Sequence, residues 1–224
     1  MKGPRDVVRV GGPDAASFLQ GQLSQDVEPL DVGASVWSLV LQPQGKVDAL
    51  VRVTRAGAEE YLLELDGGFG PSLVERLERF KLRVKADVEL VEQAAAMTAG
   101  ELAEYERWRV EVGFPAMGKE LTESTIPEEA GVVDLTVSFT KGCYTGQELV
   151  ARIDSRGRNV PRRLRRLRGS MAEGDELVAD DGKVVGTVTT VAGDVGLGYV
   201  SRSVEPPATL GMIQVEALPP LTWD

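Results

Sequence analysis

The sequence predicts an α+β domain followed by a small antiparallel β-barrel. Up to about residue 158, segments with the two-residue period of strands alternate with segments that have the helical period. Beyond that point no helical period is visible, and short strands recur at the spacing of a small barrel or sandwich. We therefore predict two domains, an α+β domain over 1–158 and a β-barrel over 159–224.

The first half of the α+β domain shows strand patterns and two helix starts. Gly12-Pro13-Asp14 predicts a helix, because proline is favoured in the first turn. Gln42-Pro43-Gln44-Gly45 is typical of a turn between two strands. The predicted strands are 6–10, 35–41, 47–54, 61–65 and 88–91, and the second predicted helix spans 71–81.

The second half of this domain begins with a strong helix signal. Thr98 and Glu101 have the spacing of a capping box, and the helix that they start is expected to end at Gly113. A short helical turn is predicted at Thr125-Ile126-Pro127-Glu128. Leu135 to Thr140 is predicted to be a strand that leads into the loop containing the only cysteine.

The predicted barrel consists of short strands and tight turns. Asp180-Asp181-Gly182 is a typical hairpin turn between two of the strands. The predicted strands are 164–168, 176–179, 184–191, 197–200 and 212–218.

Composition excludes several classes of function. The 224 residues include no histidine, which rules out Ser-His-Asp and Cys-His hydrolases and histidine-ligated zinc. One cysteine can form no internal disulfide, and it cannot hold a metal centre alone, so no metal site is predicted. The net charge of −10 disfavours general nucleic-acid binding. No membrane span or signal peptide is expected, which favours a cytoplasmic protein.

The octet Lys141-Gly142-Cys143-Tyr144-Thr145-Gly146-Gln147-Glu148 is the most informative stretch. Thr145 and Glu148 have capping-box spacing, which predicts a helix that begins just after Cys143. The positive end of that helix and the Lys141 ammonium would both favour the thiolate form of Cys143. The alternative is that Cys143 is a small buried hydrophobic residue and that Thr145 is only a helix cap.

Seven arginines between residues 156 and 168 form a basic run in an acidic chain. The favoured interpretation is a solvated edge strand whose arginines pair with nearby carboxylates, or a site for one small anionic ligand. RNA binding is the weaker alternative, because aromatic side chains are not interleaved with the arginines. The run comprises Arg156, Arg158, Arg162, Arg163, Arg165, Arg166 and Arg168.

Several stretches, taken in order, resemble the folate-binding YgfZ proteins, relatives of the glycine-cleavage T-protein, an aminomethyltransferase. The octet is the most specific match, and it continues through Arg152. The resemblance covers most of the chain, with a weaker part between about residues 56 and 96. The other matching stretches are 12–15, 18–27, 43–46, 109–113 with Pro115, and 126–130.

This resemblance implies a T-protein-like folate-binding core built of ferredoxin-like units around a channel, with a C-terminal β-barrel. It also implies tetrahydrofolate as the cofactor and a role in the assembly or repair of iron–sulfur enzymes, including a tRNA-modifying one. The partners would be iron–sulfur client or assembly proteins. The implied functional core of the octet is Lys141, Cys143 and Glu148, with Arg152 close behind. Arg109 and Arg152 are the candidates for binding the carboxylates of the folate tail, and Tyr144, Gln147 and Glu148 are expected to contribute to the same site.

Two further functions are kept as alternatives. One is folate-dependent aminomethyl transfer, with Asp48 as general base or electrostatic partner. The family's acid near this strand aligns with either Asp48 or Ala49, which puts transfer in doubt more than folate binding. The other is a module that binds RNA or an acidic protein through the arginine run, with Cys143 inert.

Overall fold

The computed structural model describes residues 3–219, and the last five residues of the predicted barrel domain, 220–224, lie outside them. The described part contains eleven strands and six helices. In chain order they are β1 (Arg5–Gly11), α1 (Ala15–Gln22), β2 (Ser35–Leu41), β3 (Val47–Gly57), β4 (Glu60–Asp66), α2 (Gly70–Phe80), β5 (Asp87–Glu92), α3 (Ala99–Glu111), α4 (Pro127–Ala130), α5 (Val133–Thr136), α6 (Gln147–Ser155), β6 (Arg162–Arg168), β7 (Glu176–Val178), β8 (Val184–Ala192), β9 (Val195–Ser201), β10 (Ala208–Leu210) and β11 (Ile213–Glu216).

The chain divides into two compact units. Within residues 3–219, the amino-terminal unit comprises 3–96 and Val133–Arg152, and the carboxyl-terminal unit comprises Met97–Val132 and 153–219. The sequence-based division after residue 158 stays a prediction. The predicted boundary lies near Ile153, where the chain enters the carboxyl-terminal unit for the second time. The compact units differ from the prediction because they group 97–132 with the barrel strands.

The amino-terminal unit is built on a five-stranded antiparallel sheet with the order β2-β3-β4-β1-β5. β4 alternates between buried and half-buried residues, as expected for a strand with one face on the core. Leu73 and Leu77 of α2 are buried, as the helical spacing predicts. All five strands predicted for residues 1–96 are confirmed, with ends shifted by at most a few residues.

The carboxyl-terminal unit begins with α3, whose start follows the predicted chemistry. The Thr98 side chain accepts a hydrogen bond from the Glu101 backbone N–H, and the Glu101 side chain accepts one from the Thr98 backbone. Gly113 has a φ of 72° just beyond the helix end, a conformation that favours glycine. The capping box and the helix end are therefore confirmed.

The barrel sequence forms a six-stranded antiparallel sheet with the order β10-β11-β6-β9-β8-β7. Leu177 from one end strand and Leu210 from the other belong to the same buried cluster, so the sheet curves round a common core. The hairpin at residues 180–182 is confirmed, since it joins the paired strands β7 and β8. β10 was not predicted from the sequence.

Two other predictions are wrong. Leu135 to Thr140 is not a strand, because α5 covers Val133–Thr136 and a loop follows it. β6, which carries five of the seven clustered arginines, is not an edge strand, because it pairs with both β11 and β9.

Within residues 3–219, no helix is long and apolar enough to cross a membrane.

Candidate functional site

The cysteine loop, residues 141–146, lies directly before α6. Gly146 immediately precedes this helix and has a φ of 83°. A capping box needs threonine at the position that Gly146 occupies and glutamate three residues later, where Leu149 lies. The predicted Thr145–Glu148 box is therefore wrong, but the helix predicted to follow Cys143 is present as α6. Tyr144, Thr145 and Gly146 separate the cysteine from the helix.

Lys141 fixes the start of the cysteine loop. Its Nζ donates hydrogen bonds to the backbone carbonyls of Gln20, Leu23 and Gln25, over 2.7, 2.7 and 2.9 Å. These carbonyls lie at the end of α1, where the last C=O groups of a helix lack partners within the helix. Burial lowers the pKa of Lys141 to about 8, so the ammonium form prevails at neutral pH. All three ammonium protons are used in holding the loop against α1.

Two glycines let the end of the loop pack against the turn between β2 and β3. A Cβ atom on Gly146 would overlap the carbonyl oxygen of Gln42, and one on Gly45 would overlap the side chain of Leu149. The Thr145 backbone N–H also donates to the Gly21 carbonyl over 3.1 Å. Three stretches distant in sequence, 18–27, 43–46 and 141–148, are thus brought together by backbone contacts that tolerate no side chain at Gly146.

Cys143 is an exposed free thiol on this loop, so the prediction of a buried cysteine is excluded. The neighbouring Tyr144 is buried at 9% exposure, and burial, with a smaller contribution from Glu148, raises its pKa to about 12. The Gln147 side-chain oxygen accepts a hydrogen bond from the Tyr144 backbone N–H over 3.3 Å. The thiol is therefore presented to solvent from a loop whose two ends are fixed.

Glu148 and Arg152 both lie on α6 and are exposed. Val150, between them, is the buried residue of this helix. The structure therefore brings Lys141, Cys143, Tyr144, Gln147 and Glu148 together in one continuous segment, with Arg152 one turn further along the helix.

Asp48 lies on β3 and pairs with Arg76. Its Oδ2 accepts from Arg76 Nε over 3.0 Å. The same guanidinium donates to the Gln22 side chain and to the Leu41 carbonyl, and its carbon lies 3.7 Å from the centroid of the Phe80 ring. Burial lowers the pKa of Arg76 from its usual value, although Asp48 opposes this shift. This geometry gives Asp48 a clear structural partner.

Arg109 lies in the carboxyl-terminal unit and is fully buried. Its guanidinium donates to both oxygens of Glu106, to Glu120, to the Phe114 carbonyl and to the Thr190 hydroxyl. Burial would lower its pKa, but the carboxylates outweigh burial and raise it. These bonds account for all five guanidinium N–H groups, so the geometry leaves no donor for a ligand carboxylate.

Sequence reasoning did not identify Glu120, which completes the network around Arg109. Its carboxylate is fully buried and accepts from Arg109 over 2.9 Å and from the Thr190 hydroxyl over 2.6 Å. Thr190 is 70 residues from Glu120 in sequence, so no local pattern could have predicted this contact.

The arginine run is largely paired with carboxylates, as the favoured interpretation expected. The partner of Arg158 is Asp154, while α4 supplies Glu129 to Arg162 and Glu128 to Arg163. Further along β6, Arg166 pairs with Glu216, and Arg168 pairs with Glu111 and Glu216. Arg165 differs, because its buried Nε has no hydrogen-bond partner in residues 3–219.

Among those residues, no cluster of three or more histidine, cysteine, aspartate or glutamate side chains is arranged to hold a metal ion.

Comparisons with known proteins agree with this arrangement. Residues 156–224 match the family model described as CAF17, C-terminal beta-barrel domain. A tRNA-modifying protein YgfZ from Serratia proteamaculans is 26% identical over 217 residues, covering 68% of this chain and 66% of that protein. A second YgfZ, from Yersinia pestis, is 39% identical over 88 residues, covering 37% of this chain and 26% of that protein.

The chain is thus similar in sequence to YgfZ proteins. A mitochondrial iron–sulfur cluster assembly factor IBA57 homolog from Mycosarcoma maydis is 27% identical over 212 residues, covering 68% of this chain and 53% of that protein. The chain thus spans between about a quarter and two thirds of the length of these three curated relatives.

The fold of this YgfZ-like chain is also that of the T-protein. The crystal structure of glycine cleavage system aminomethyltransferase T from Bartonella henselae superimposes with a TM-score of 0.78 at 19% identity, covering 96% of this chain and 83% of that one. The predicted fold class, a T-protein-like core followed by a β-barrel, is confirmed.

Proposed function

We propose that this chain is a tetrahydrofolate-binding accessory protein that supports the assembly or repair of iron–sulfur clusters, including those of tRNA-modifying enzymes. The names of its YgfZ and IBA57 relatives support this role. The observation that carries the proposal is the exposed Cys143 thiol on a loop held by Lys141 at one end and Gly146 at the other. We place the activity in the cytoplasm, in accord with a single unpaired cysteine.

Cys143 would act on a partner protein. Its side chain is exposed, while Tyr144 beside it is buried and keeps the backbone in place. One thiolate is too few ligands for a cluster, so a client or assembly protein would supply the others. Cys143 would lend a transient thiolate ligand to the cluster, which is cargo here.

Tetrahydrofolate would be held by residues of the octet and α6. The exposed, cationic Arg152 suits the carboxylates of the glutamate tail, because arginine binds carboxylates in a bidentate way. Tyr144, Gln147 and Glu148 lie in the same segment and would contribute aromatic and polar contacts. Arg109 fits less well, since its donors are already used. When bound, tetrahydrofolate supplies a carrier for one-carbon units.

The two alternatives receive less support from the geometry. Aminomethyl transfer would need Asp48 as a base, yet its carboxylate is engaged by Arg76. RNA binding would need an unpaired basic surface, yet five arginines of the run pair with carboxylates.

Complementation tests the thiol role. In cells that lack the YgfZ-like function, the wild-type chain should restore the activity of an iron–sulfur enzyme, and Cys143→Ser should not. Thr140→Ser, a conservative change three residues away, is the matched control and should restore activity fully. Equal rescue by wild type and Cys143→Ser, at equal protein levels, would show that the thiol has no role.

A further inference from the structure

A cavity lies within the carboxyl-terminal unit, and none of its lining residues belongs to the cysteine loop. Its volume is about 460 Å³, which is within the range of small-molecule sites. It is formed by the segment 119–125 together with β8 and β9. Seven of its fourteen lining residues carry a hydroxyl group, and two others, Lys119 and Arg162, carry positive charge. The lining is therefore polar and suited to an oxygen-rich ligand.

Arg162 is held in a fixed orientation at this cavity. Its Nε donates to the buried Glu129 over 3.2 Å, and its guanidinium carbon lies 4.5 Å from the centroid of the Tyr199 ring. The Tyr199 hydroxyl in turn donates to the Glu120 carbonyl over 2.8 Å, which fixes the ring. The orientation of the Arg162 guanidinium is thus set by the hydrogen bond from its Nε to Glu129 and by the contact of one face with the Tyr199 ring.

The two terminal nitrogens of Arg162 have no hydrogen-bond partner within residues 3–219. Together they present a planar set of N–H donors that matches the two oxygens of a carboxylate or phosphate. Lys119 is a weaker anchor, because its ammonium already pairs with Glu106 and Glu173. Arg162 is therefore the main charged anchor at this cavity.

Some of the lining hydroxyls build the cavity wall, and others are available. Thr189 donates to the Glu120 carboxylate and holds the segment 119–125 against the barrel, while Thr125 donates to the Glu120 carbonyl within that segment. Thr187 is exposed at the cavity, and its hydroxyl has no hydrogen-bond partner among the described residues. Its hydroxyl could contact the part of a ligand beyond the anionic end.

We propose that this cavity binds a small molecule with a terminal phosphate or carboxylate group, and that the two terminal nitrogens of Arg162 donate hydrogen bonds to this group. The site is independent of the cysteine loop and of folate binding. Glu129 accepts from the Nε of Arg162, and the anionic group of the ligand would accept from the two terminal nitrogens. The guanidinium would then lie between two acidic groups.

Titration of the ¹⁵N-labelled full chain, with inorganic phosphate in one series and acetate in another, tests this site. We expect saturable shifts in the backbone resonances of Thr187 and Ser201 and in the Nε–H of Arg162. The series that saturates at lower concentration identifies phosphate or carboxylate as the preferred group. Arg162→Gln should weaken binding about tenfold or more, as expected for the loss of a charge-assisted contact.

Two variants keep this test decisive. Thr187→Trp fills the cavity from an exposed position and leaves the Arg162–Glu129 pair intact, so it should abolish binding without unfolding the chain. Arg202→Gln removes a nearby positive charge whose side chain bonds Asn159 and does not line the cavity, so it should bind as wild type does. Absence of saturation with both anions, or equal weakening by Arg202→Gln, would overturn the proposal.

Discussion

Lys141 shows how one side chain can prepare a loop for function. Its three hydrogen bonds reach residues 116 to 121 positions away, so the sequence could identify the lysine but not its partners. The sequence predicted that this ammonium would act on Cys143. In the structure its protons are committed to backbone carbonyls, and an action on the thiol stays a prediction.

Replacement of Lys141 tests this structural role. Lys141→Met should lower the free energy of unfolding by about 2 kcal/mol at pH 7, because three carbonyls lose a charged donor. The pKa of Lys141 is about 8 when folded and near 10.5 when unfolded, so between these values the unfolded chain binds more protons. The stability of wild type relative to the variant should therefore rise with pH over this window.

Denaturant unfolding of both proteins at pH 7, 9 and 10 measures this difference. A difference that falls as the pH rises, or that is absent at pH 7, would contradict the assignment.

At the scale of elements, the meeting of the octet with the β2–β3 turn depends on glycine. The turn and the helix were predicted separately from local patterns. Their contact was not predictable, because it depends on the path of the chain between residues 46 and 141. The strand predicted over 135–140 failed for a related reason: valine, threonine and phenylalanine favour strands locally, but Val133, Thr136 and Val137 are buried through a helical turn and the loop after it.

Gly146→Ala should therefore be strongly destabilising. The new Cβ would meet the Gln42 carbonyl, and the left-handed φ of 83° is unfavourable for alanine. We expect a loss of about 2–3 kcal/mol in thermal or denaturant unfolding. Gly142→Ala is the matched control: a Cβ there has open space around it, so the change should stay within about 0.5 kcal/mol. Similar losses in both variants would argue against the described packing.

At the scale of the whole molecule, the charge of the chain is organised in two ways. The arginine run is neutralised by carboxylates from α3, α4 and β11, and Arg109 is enclosed in a buried network with Glu106 and Glu120. The sequence indicated the pairing of the run but placed it on an edge strand. From the sequence, Arg109 was a candidate for binding folate. Its burial and its contact with Thr190, 81 residues away, could not be predicted because neither produces a local sequence pattern.

Arg109→Gln should accordingly act on stability. The change leaves the Glu120 carboxylate buried without its cation, which costs about 3–5 kcal/mol. Arg107→Gln, at an exposed position with weak ion pairs, should cost less than about 1 kcal/mol. Differential scanning calorimetry of the three proteins makes the comparison. A normal melting temperature for Arg109→Gln, together with lost folate binding, would instead favour a ligand role.

Folate binding at the octet and α6 can be measured by calorimetric titration with tetrahydrofolate. Wild type should bind with micromolar affinity, and Arg152→Ala should bind at least about tenfold more weakly. Arg156→Ala, an equal charge change one turn further on, should bind as wild type does, and so should Cys143→Ser. No binding by wild type at millimolar ligand would contradict the account and would leave Cys143 with a role in protein interaction alone.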